Sequence, residues 1–314
     1  MTRERQGLRR VHEGHRKTRS DALTAAIRSG AGRRKRGSRT VIIRNLIEDT
    51  NGTCPVKAEH GLSFLVETRK HRYLLDTGAS DKTWDNADTL GENVTDVDAV
   101  VLSHGHYDHT GGLMGLVRRG YRGPVYMRDN ADRLYYNLRE YEKYIGIDSE
   151  IRNLPGLILT PREGITEVDE TLSLFSGVNG TRFEPEGNRT LYEKKDGKFF
   201  RDSFEHEQYA VLREGARSVL VSGCAHKGIV NILERYRELY GSYPDAVVSG
   251  FHMMNADGYD DAAVSRIREV AKELAATGVT FYTGHCTGIA AYEQMKPILR
   301  DKLMYVHAGD CVEL

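Results

Sequence analysis

The segment Ser103-His-Gly-His-Tyr-Asp-His-Thr-Gly-Gly112 constrains this chain more than any other part of its sequence. It brings four side chains that can bind metal ions, His104, His106, Asp108 and His109, within six residues. It also follows the short apolar stretch Ala99-Val-Val-Leu-Ser103, which is typical of a buried β-strand. A strand end that leads into a tight turn and a helix is where α/β proteins place their sites, so we expect a metal site here.

The order of the four side chains indicates two ions rather than one. Within the turn His104 and His106 can project together, and Asp108 with His109 can face a second ion nearby. Imidazole and carboxylate groups favour Zn²⁺, with Mn²⁺, Fe²⁺ or Mg²⁺ as alternatives. The four cysteines form no CxxC pair, which argues against a closed structural zinc site. The alternative is a loop whose histidines only make hydrogen bonds to the backbone. A single histidine would be best explained in that way, but four possible ligands in this pattern are not.

Apolar patterning predicts an α/β domain over residues 41–314. Strands are predicted at 41–47, 62–68, 71–75, 99–103, 218–222, 246–249, 279–282 and 304–306. Apolar residues at helical spacing predict helices after Asp108, across 229–236, across 264–274 and from about Gly288. The tyrosine-rich segment around Tyr135, Tyr136, Tyr141 and Tyr144 is interpreted as an amphipathic surface helix, with stacking on a flat ring as the alternative.

The formal net charge of zero is the sum of two different parts. Residues 1–40 hold 13 of the 45 Lys and Arg but only three of the 45 Asp and Glu, so this arm carries +10 and residues 41–314 carry −10. The arm has no periodicity that could bury a face, and we interpret it as a disordered extension. The alternative is contact with nucleic acid or an anionic surface, through the arm alone.

The sequence also indicates in which cellular compartment the protein is expected. No stretch approaches the roughly 20 apolar residues that a membrane helix needs, and no apolar segment of a secretory signal follows the basic start. The cysteines do not form a disulfide framework. We therefore expect a cytoplasmic protein with no membrane partner and an oligomeric state that the sequence leaves open.

Taken with its surroundings, the histidine motif points to a known family. HxHxDH, preceded by Leu74-Leu-Asp-Thr-Gly78 and followed by distant single histidines, resembles the metallo-β-lactamase superfamily. The resemblance covers about 41–314 and implies an αββα sandwich with a dinuclear site at one edge of its two sheets. It implies that Asp76 supports the histidine loop, that His206 is the third ligand of the first metal, and that His285 is the last ligand of the second.

The resemblance leaves the roles of four further residues open. Cys224 falls where many members have a metal-bridging Asp, so either its thiolate binds one metal or His226 takes over that role. His252 follows a predicted strand on the same side of the sheet. It could bind a metal, bind a substrate or pack in the core, and the sequence favours none of the three. Lys227 stands at a predicted helix start, where its charge would help to bind a phosphate.

Several short motifs narrow the resemblance to one subfamily: SGCAHKGIVNIL at 222–233, GFHM at 250–253, TGHCTG at 283–288 and FEHEQ at 204–208. The subfamily includes metal-dependent hydrolases and the archaeal dihydropterin-ribofuranosylaminobenzene 5′-phosphate synthases. In the latter reaction a dihydropterin diphosphate is joined to a ribosyl phosphate partner with loss of diphosphate. The resemblance thus implies a phosphorylated small-molecule substrate.

Alternative functions stay open from the sequence. For hydrolysis of an ester or phosphoester, a metal-activated water would be the nucleophile and Asp108 both a ligand and a proton acceptor. An RNA-processing nuclease would use the basic arm, and a non-catalytic protein would hold metal and one small ligand. His106 argues against the diiron oxygen-reducing members, which tend to carry Glu there, and Cys224 argues against glyoxalase-type hydrolases.

Overall fold

The computed structural model describes residues 27–29, 41–255 and 257–314. The strands are β1 Ile27–Ser29, β2 Ile42–Ile47, β3 Ser63–Glu67, β4 Arg72–Leu75, β5 Ala99–Val101, β6 Val125–Arg128, β7 Tyr135–Asn137, β8 Lys143–Tyr144, β9 Leu157–Thr160, β10 Gly164–Glu167, β11 Leu172–Ser176, β12 Leu191–Lys195, β13 Lys198–Arg201, β14 Tyr209–Glu214, β15 Arg217–Val221, β16 Ala246–Val248, β17 Thr280–Thr283, β18 Leu303–Tyr305 and β19 Asp310–Glu313. The α-helices are α1 Lys82–Leu90, α2 Tyr107–Thr110, α3 Leu113–Arg118, α4 Ile229–Tyr240, α5 Asp261–Ala276 and α6 Ile289–Leu299. Short 3₁₀ helices are formed by Ser149–Asn153, Glu186–Thr190, His285–Thr287 and Arg300–Lys302.

Two large sheets lie face to face. One has eight strands in the order β1-β19-β2-β3-β4-β5-β6-β9, and the other has seven in the order β10-β11-β14-β15-β16-β17-β18. Buried apolar side chains of both sheets, such as Val101 of β5 and Leu212 of β14, belong to one cluster between them. A smaller four-stranded sheet has the order β13-β12-β7-β8.

Helices cover the outer faces of both large sheets because each helix buries one apolar stripe. Trp84 of α1 and Leu116 of α3 pack with the eight-stranded sheet. In α5, Val270 and Leu274 are buried at helical spacing and pack with the seven-stranded sheet, together with α4 and α6. The four layers confirm the predicted αββα sandwich.

The parallel strand pairs decide where the site forms. β4 pairs with β5, and β15, β16 and β17 pair in sequence, all parallel. The carboxyl ends of these strands therefore meet at one edge of the sandwich, where the two sheets approach closely. A Cβ added to Gly223, just after β15, would lie 2.2 Å from Ser103 Oγ, so only glycine fits at this approach.

The eight predicted strands are all present, and they are now β2 to β5 and β15 to β18. The helix predicted in the tyrosine-rich segment is wrong. Tyr135–Asn137 instead pairs with β12 and with β8, because these aromatic residues pack as readily on a sheet and a distant strand supplies the partner.

Two further observations concern the arm and membranes. Within the predicted arm, Ile27–Ser29 pairs with β19 as a strand. The rest of the predicted disordered arm lies outside the described residues, and its disorder stays a prediction. In the described part of the chain, no helix is long and apolar enough to cross a bilayer.

Candidate metal centre

The loop from Ser103 to His109 is fixed by the carboxylate of Asp76. Asp76 Oδ1 accepts the Ser103 N–H at 2.6 Å, and Asp76 Oδ2 accepts from Ser103 Oγ at 2.7 Å and from His109 Nδ1 at 2.6 Å. Gly105 is required within the loop, since a Cβ there would lie 2.1 Å from the carbonyl oxygen of Ala131. This geometry agrees with the support that the sequence predicted for Asp76.

A first cluster consists of His104, His106 and His226, whose ring nitrogens lie within 4.8 Å of one another. Nδ1 of His104 donates to Ser103 Oγ at 2.8 Å, and Nδ1 of His226 donates to the Asn188 side-chain oxygen at 3.0 Å. All three Nε2 atoms are buried and, among the described residues, have no hydrogen-bond partner. Unpartnered lone pairs that converge in this way fit a metal ion.

Burial also sets the charge of the first cluster. It lowers the pKa of His104, His106 and His226, and the neighbouring histidines lower the pKa of His104 and His226 further. The three rings are therefore neutral near pH 7, which is the form of imidazole that binds a metal.

A second cluster consists of Asp108, His109, Cys224 and His285, and all four are buried. Nε2 of His109 lies 3.1 Å from Cys224 Sγ and 3.6 Å from Asp108 Oδ2, and Nε2 of His285 lies 3.4 Å from the same oxygen. Burial raises the pKa of Asp108, but His109, His285 and His60 outweigh it and hold that pKa well below its usual range. The carboxylate is thus ionised and suited to a hard cation.

The thiol of Cys224 behaves differently from the carboxylate. Burial and the adjacent Cys286 raise its pKa well above the ordinary value. The protein alone therefore holds Cys224 as a thiol, and a cation must displace its proton before sulfur can bind.

The second cluster depends on two acids that sequence reasoning missed. Asp49 Oδ1 accepts from His285 Nδ1 at 2.5 Å, and the buried carboxylate of Glu48 accepts the His285 N–H at 2.9 Å. Both residues directly follow β2, more than 230 residues before His285, so no local spacing could have linked them. His60, to which the sequence assigned no role, also contacts this cluster.

His206 lies outside the group of His104, His106 and His226, but it forms a neighbouring group with His106 and Asp202 whose possible ligand atoms lie within 4.8 Å of one another. Its Nδ1 accepts the Gly105 N–H at 3.0 Å, and its Nε2 donates to Asp202 at 3.0 Å. Its ring packs 4.1 Å from that of Tyr135. Both ring nitrogens of His206 are engaged, whereas Nε2 of His226 is free of hydrogen bonds to the described residues and converges on His104 and His106.

Lys227 lies two residues before helix α4, which begins at Ile229. The carboxylate of Glu207 accepts the N–H of His226 at 2.7 Å and the N–H of Lys227 at 2.9 Å. The Lys227 ammonium lies 3.4 Å from the carbonyl of Ser203. The Glu207 carboxylate therefore takes up the two backbone N–H groups just before the helix, and the phosphate-binding role of Lys227 stays a prediction.

His252 lies beside both clusters, 4.1 Å from His226 between ring centroids. Its two buried ring nitrogens have no hydrogen-bond partner among the described residues, and its φ of 49° lies in the left-handed region. Such a conformation costs of order 1–3 kcal/mol and is common at functional sites. His252 also lines the cavity that opens beside the clusters.

This cavity has a volume of about 460 Å³. Its lining combines neighbours of the clusters with apolar and basic side chains: His60, His252, Cys286, Phe183, Phe251, Met253, Met254, Tyr259, Arg139, Arg189 and Arg266. The tyrosines for which stacking on a flat ring was the alternative do not line the cavity, since Tyr135 packs on His206 and Tyr136 on Tyr144 in the small sheet. Phe183, Phe251 and the methionines provide the apolar surface instead.

The family is shown by comparison with known proteins. Residues 56–246 match the family model of the metallo-beta-lactamase superfamily, and the chain belongs to that superfamily. The resemblance inferred from the HxHxDH motif is thereby confirmed. Members of this superfamily generally bind metal ions, in agreement with the two clusters.

Three individual proteins are similar to this chain over most of its length. The chain is 29% identical over 287 residues to 7,8-dihydropterin-6-methyl-4-(beta-D-ribofuranosyl)-aminobenzene-5′-phosphate synthase of Methanocaldococcus jannaschii, covering 86% of this chain and 96% of that one. Tm1679, a metal-dependent hydrolase of the beta-lactamase superfamily, has a TM-score of 0.74 and 31% identity, over 87% of this chain and 99% of that one. Zn²⁺-bound PqqB from Methylobacterium extorquens shares the fold at a TM-score of 0.53 and 13% identity, over 87% and 100% of the two chains.

Proposed function

We propose that this chain is an enzyme with two metal positions that acts on a phosphorylated small molecule in the cavity beside them. The observation that carries the proposal is the convergence of unpartnered Nε2 atoms from His104, His106, His226 and His285. They adjoin an ionised carboxylate and a cavity of about 460 Å³. A donor set of this kind has no structural use without a cation.

The first metal position is assigned to His104, His106 and His226, and the second to Asp108, His109, Cys224 and His285. His206 is assigned a supporting role, because its hydrogen bonds hold the Gly105 backbone beside the first cluster. Bound divalent ions would polarise a phosphoryl oxygen and lower the pKa of bound water to about 7. Zn²⁺ fits the imidazole and thiolate ligands best.

The cavity supports a substrate with a flat ring and an anionic group. Phe183 and Phe251 offer rings, and Met253 offers a deformable apolar surface. Arg189 and Arg266 share one carboxylate, Glu186, at 3.2 and 3.6 Å. One carboxylate cannot accept hydrogen bonds from all N–H groups of two guanidinium groups, so a phosphate could accept from the remaining ones.

The reaction we favour is transfer of a pterin-type group with loss of diphosphate, because similarity to the synthase extends over 96% of that protein. Hydrolysis of a phosphoester is the second candidate, favoured by the 31% identity to Tm1679. In either reaction the unpartnered ring of His252 lines the cavity and can exchange a proton with a ligand there.

One experiment separates the two reactions. Metal-replete protein is incubated with a dihydropterin diphosphate, with and without the aminobenzene ribosyl phosphate partner, and the products are identified by mass spectrometry. A coupled product that needs both substrates supports transfer, while diphosphate or phosphate release without the partner supports hydrolysis. Neither product from protein with two bound metals would contradict the proposed substrate class, and His104→Ala serves as the control for contaminating activity.

A further inference from the structure

His60 lies in the loop between β2 and β3 and has no role in the assignments above. Its side chain is 53% exposed and lines the cavity. Nδ1 donates to Asp49 Oδ2 at 2.8 Å, which turns Nε2 towards Asp108 Oδ2 at 3.5 Å. The ring centroid lies 5.0 Å from that of His285. His60 therefore extends the second cluster on its cavity side.

The spacing of these atoms is that of ligands around one ion. Three Nε2 atoms, those of His60, His109 and His285, lie 3.5, 3.6 and 3.4 Å from Asp108 Oδ2. Hydrogen bonds between nitrogen and oxygen are shorter, at about 2.7–3.2 Å. Two ligands that are each about 2.0–2.1 Å from a tetrahedral Zn²⁺ are separated by roughly 3.3–3.4 Å. Each of the three nitrogens is too far from Asp108 Oδ2 for a hydrogen bond and lies at the separation expected of two ligands of one cation.

Asp49 gives independent support for this interpretation. One of its carboxylate oxygens accepts from Nδ1 of His60 and the other from Nδ1 of His285 at 2.5 Å. A carboxylate on the far nitrogen is the usual way in which proteins orient histidines that bind metals. Asp49 thus orients His60 in the same manner as His285.

We propose that His60 Nε2 is a further ligand of the second metal position, on the side that faces the cavity. The proposal depends on the two-metal function proposed above. A fifth protein ligand is compatible with a catalytic zinc site that expands beyond four-coordination. Because His60 is half exposed, small molecules in the cavity can reach its place when the side chain is removed.

The test uses Co²⁺ as a spectroscopic substitute for the native ion. Metal-depleted wild type, His60→Ala and His71→Ala are titrated with Co²⁺, and the visible absorption and the binding stoichiometry are recorded. His71 is the control because it is a partly exposed histidine whose ion pairs are with Asp98 and Glu170, both outside the clusters. In His60→Ala the second Co²⁺ should bind at least roughly tenfold more weakly, with an altered spectrum. Added imidazole should restore that spectrum.

Each outcome decides one question. His60→Ala with the affinity and spectrum of wild type would overturn the ligand role while leaving the two-metal function intact. Wild type that binds fewer than two Co²⁺ per chain would instead overturn the proposed two-metal function. His60→Gln, which keeps a polar side chain, replaces His60→Ala if the alanine variant does not fold.

Discussion

The two ligand clusters share one short loop but differ in charge and in their supports. The first cluster consists of three neutral imidazoles, and Ser103 and Asn188 bind the far nitrogens of His104 and His226 through uncharged oxygens. The second contains a carboxylate and a thiol, and carboxylates bind the far nitrogens of its two histidines. The two proposed metal positions should therefore respond differently to mutation and to pH.

The largest effect should come from His226→Ala, which removes a ligand from the first cluster only. We expect loss of one metal per chain and a fall in turnover greater than the roughly 10–100-fold that follows loss of a supporting residue. Elemental analysis and product formation measure this. Retention of both metals in His226→Ala would contradict the assignment of this histidine to the first cluster.

Asp76→Asn should weaken the second cluster more than the first. The amide cannot replace both bonds of the carboxylate oxygen that binds Ser103 and His109, so His109 loses its orientation. The expected loss is about 10–100-fold in affinity for one metal. Competition with a chromophoric chelator measures it, and equal weakening at both positions would show that Asp76 acts on the whole loop.

Binding at the second cluster should depend more steeply on pH. Burial lowers the pKa of His285, but Cys286, Asp108 and Asp49 outweigh it and raise that pKa well above its ordinary value. A cation must therefore displace protons from His285 and Cys224, whereas the first cluster is already neutral. Each proton released makes affinity rise about tenfold per pH unit, so the second cation should leave first as pH falls.

Calorimetric titration in buffers of different ionisation enthalpy counts these protons directly. Proton release should accompany filling of the second position and be nearly absent at the first. Equal release at both positions would remove the distinction between the clusters.

The smallest effect on metal binding should come from His206→Ala. The variant leaves the Gly105 N–H without its acceptor and Asp202 without one of its donors, which should cost about 1–3 kcal/mol of unfolding free energy. Both metals should stay bound. Thermal unfolding and elemental analysis measure these effects, and loss of one metal would restore His206 as a ligand.

Much of the candidate site could be predicted from local sequence, because the ends of strands can be recognised there. His104 to His109 follow β5 and His285 follows β17, and apolar runs marked both strands. Asp49 and His60 were not predicted as site residues, because they lie in an irregular loop whose sequence has no periodicity. The sequence placed His206 in the first cluster and offered His226 only in place of Cys224, since sequence does not show which ring nitrogens are already engaged.

The sequence by itself determined the superfamily, the αββα layers and the loop that supplies both clusters, because strand periodicity and HxHxDH are local patterns. Only the tertiary structure decided that Glu207 takes up the backbone N–H groups beside Lys227, and that Asp49 joins His60 to His285. These contacts join residues far apart in the chain. They depend on how the two sheets bring their strand ends together, and no local pattern encodes that approach.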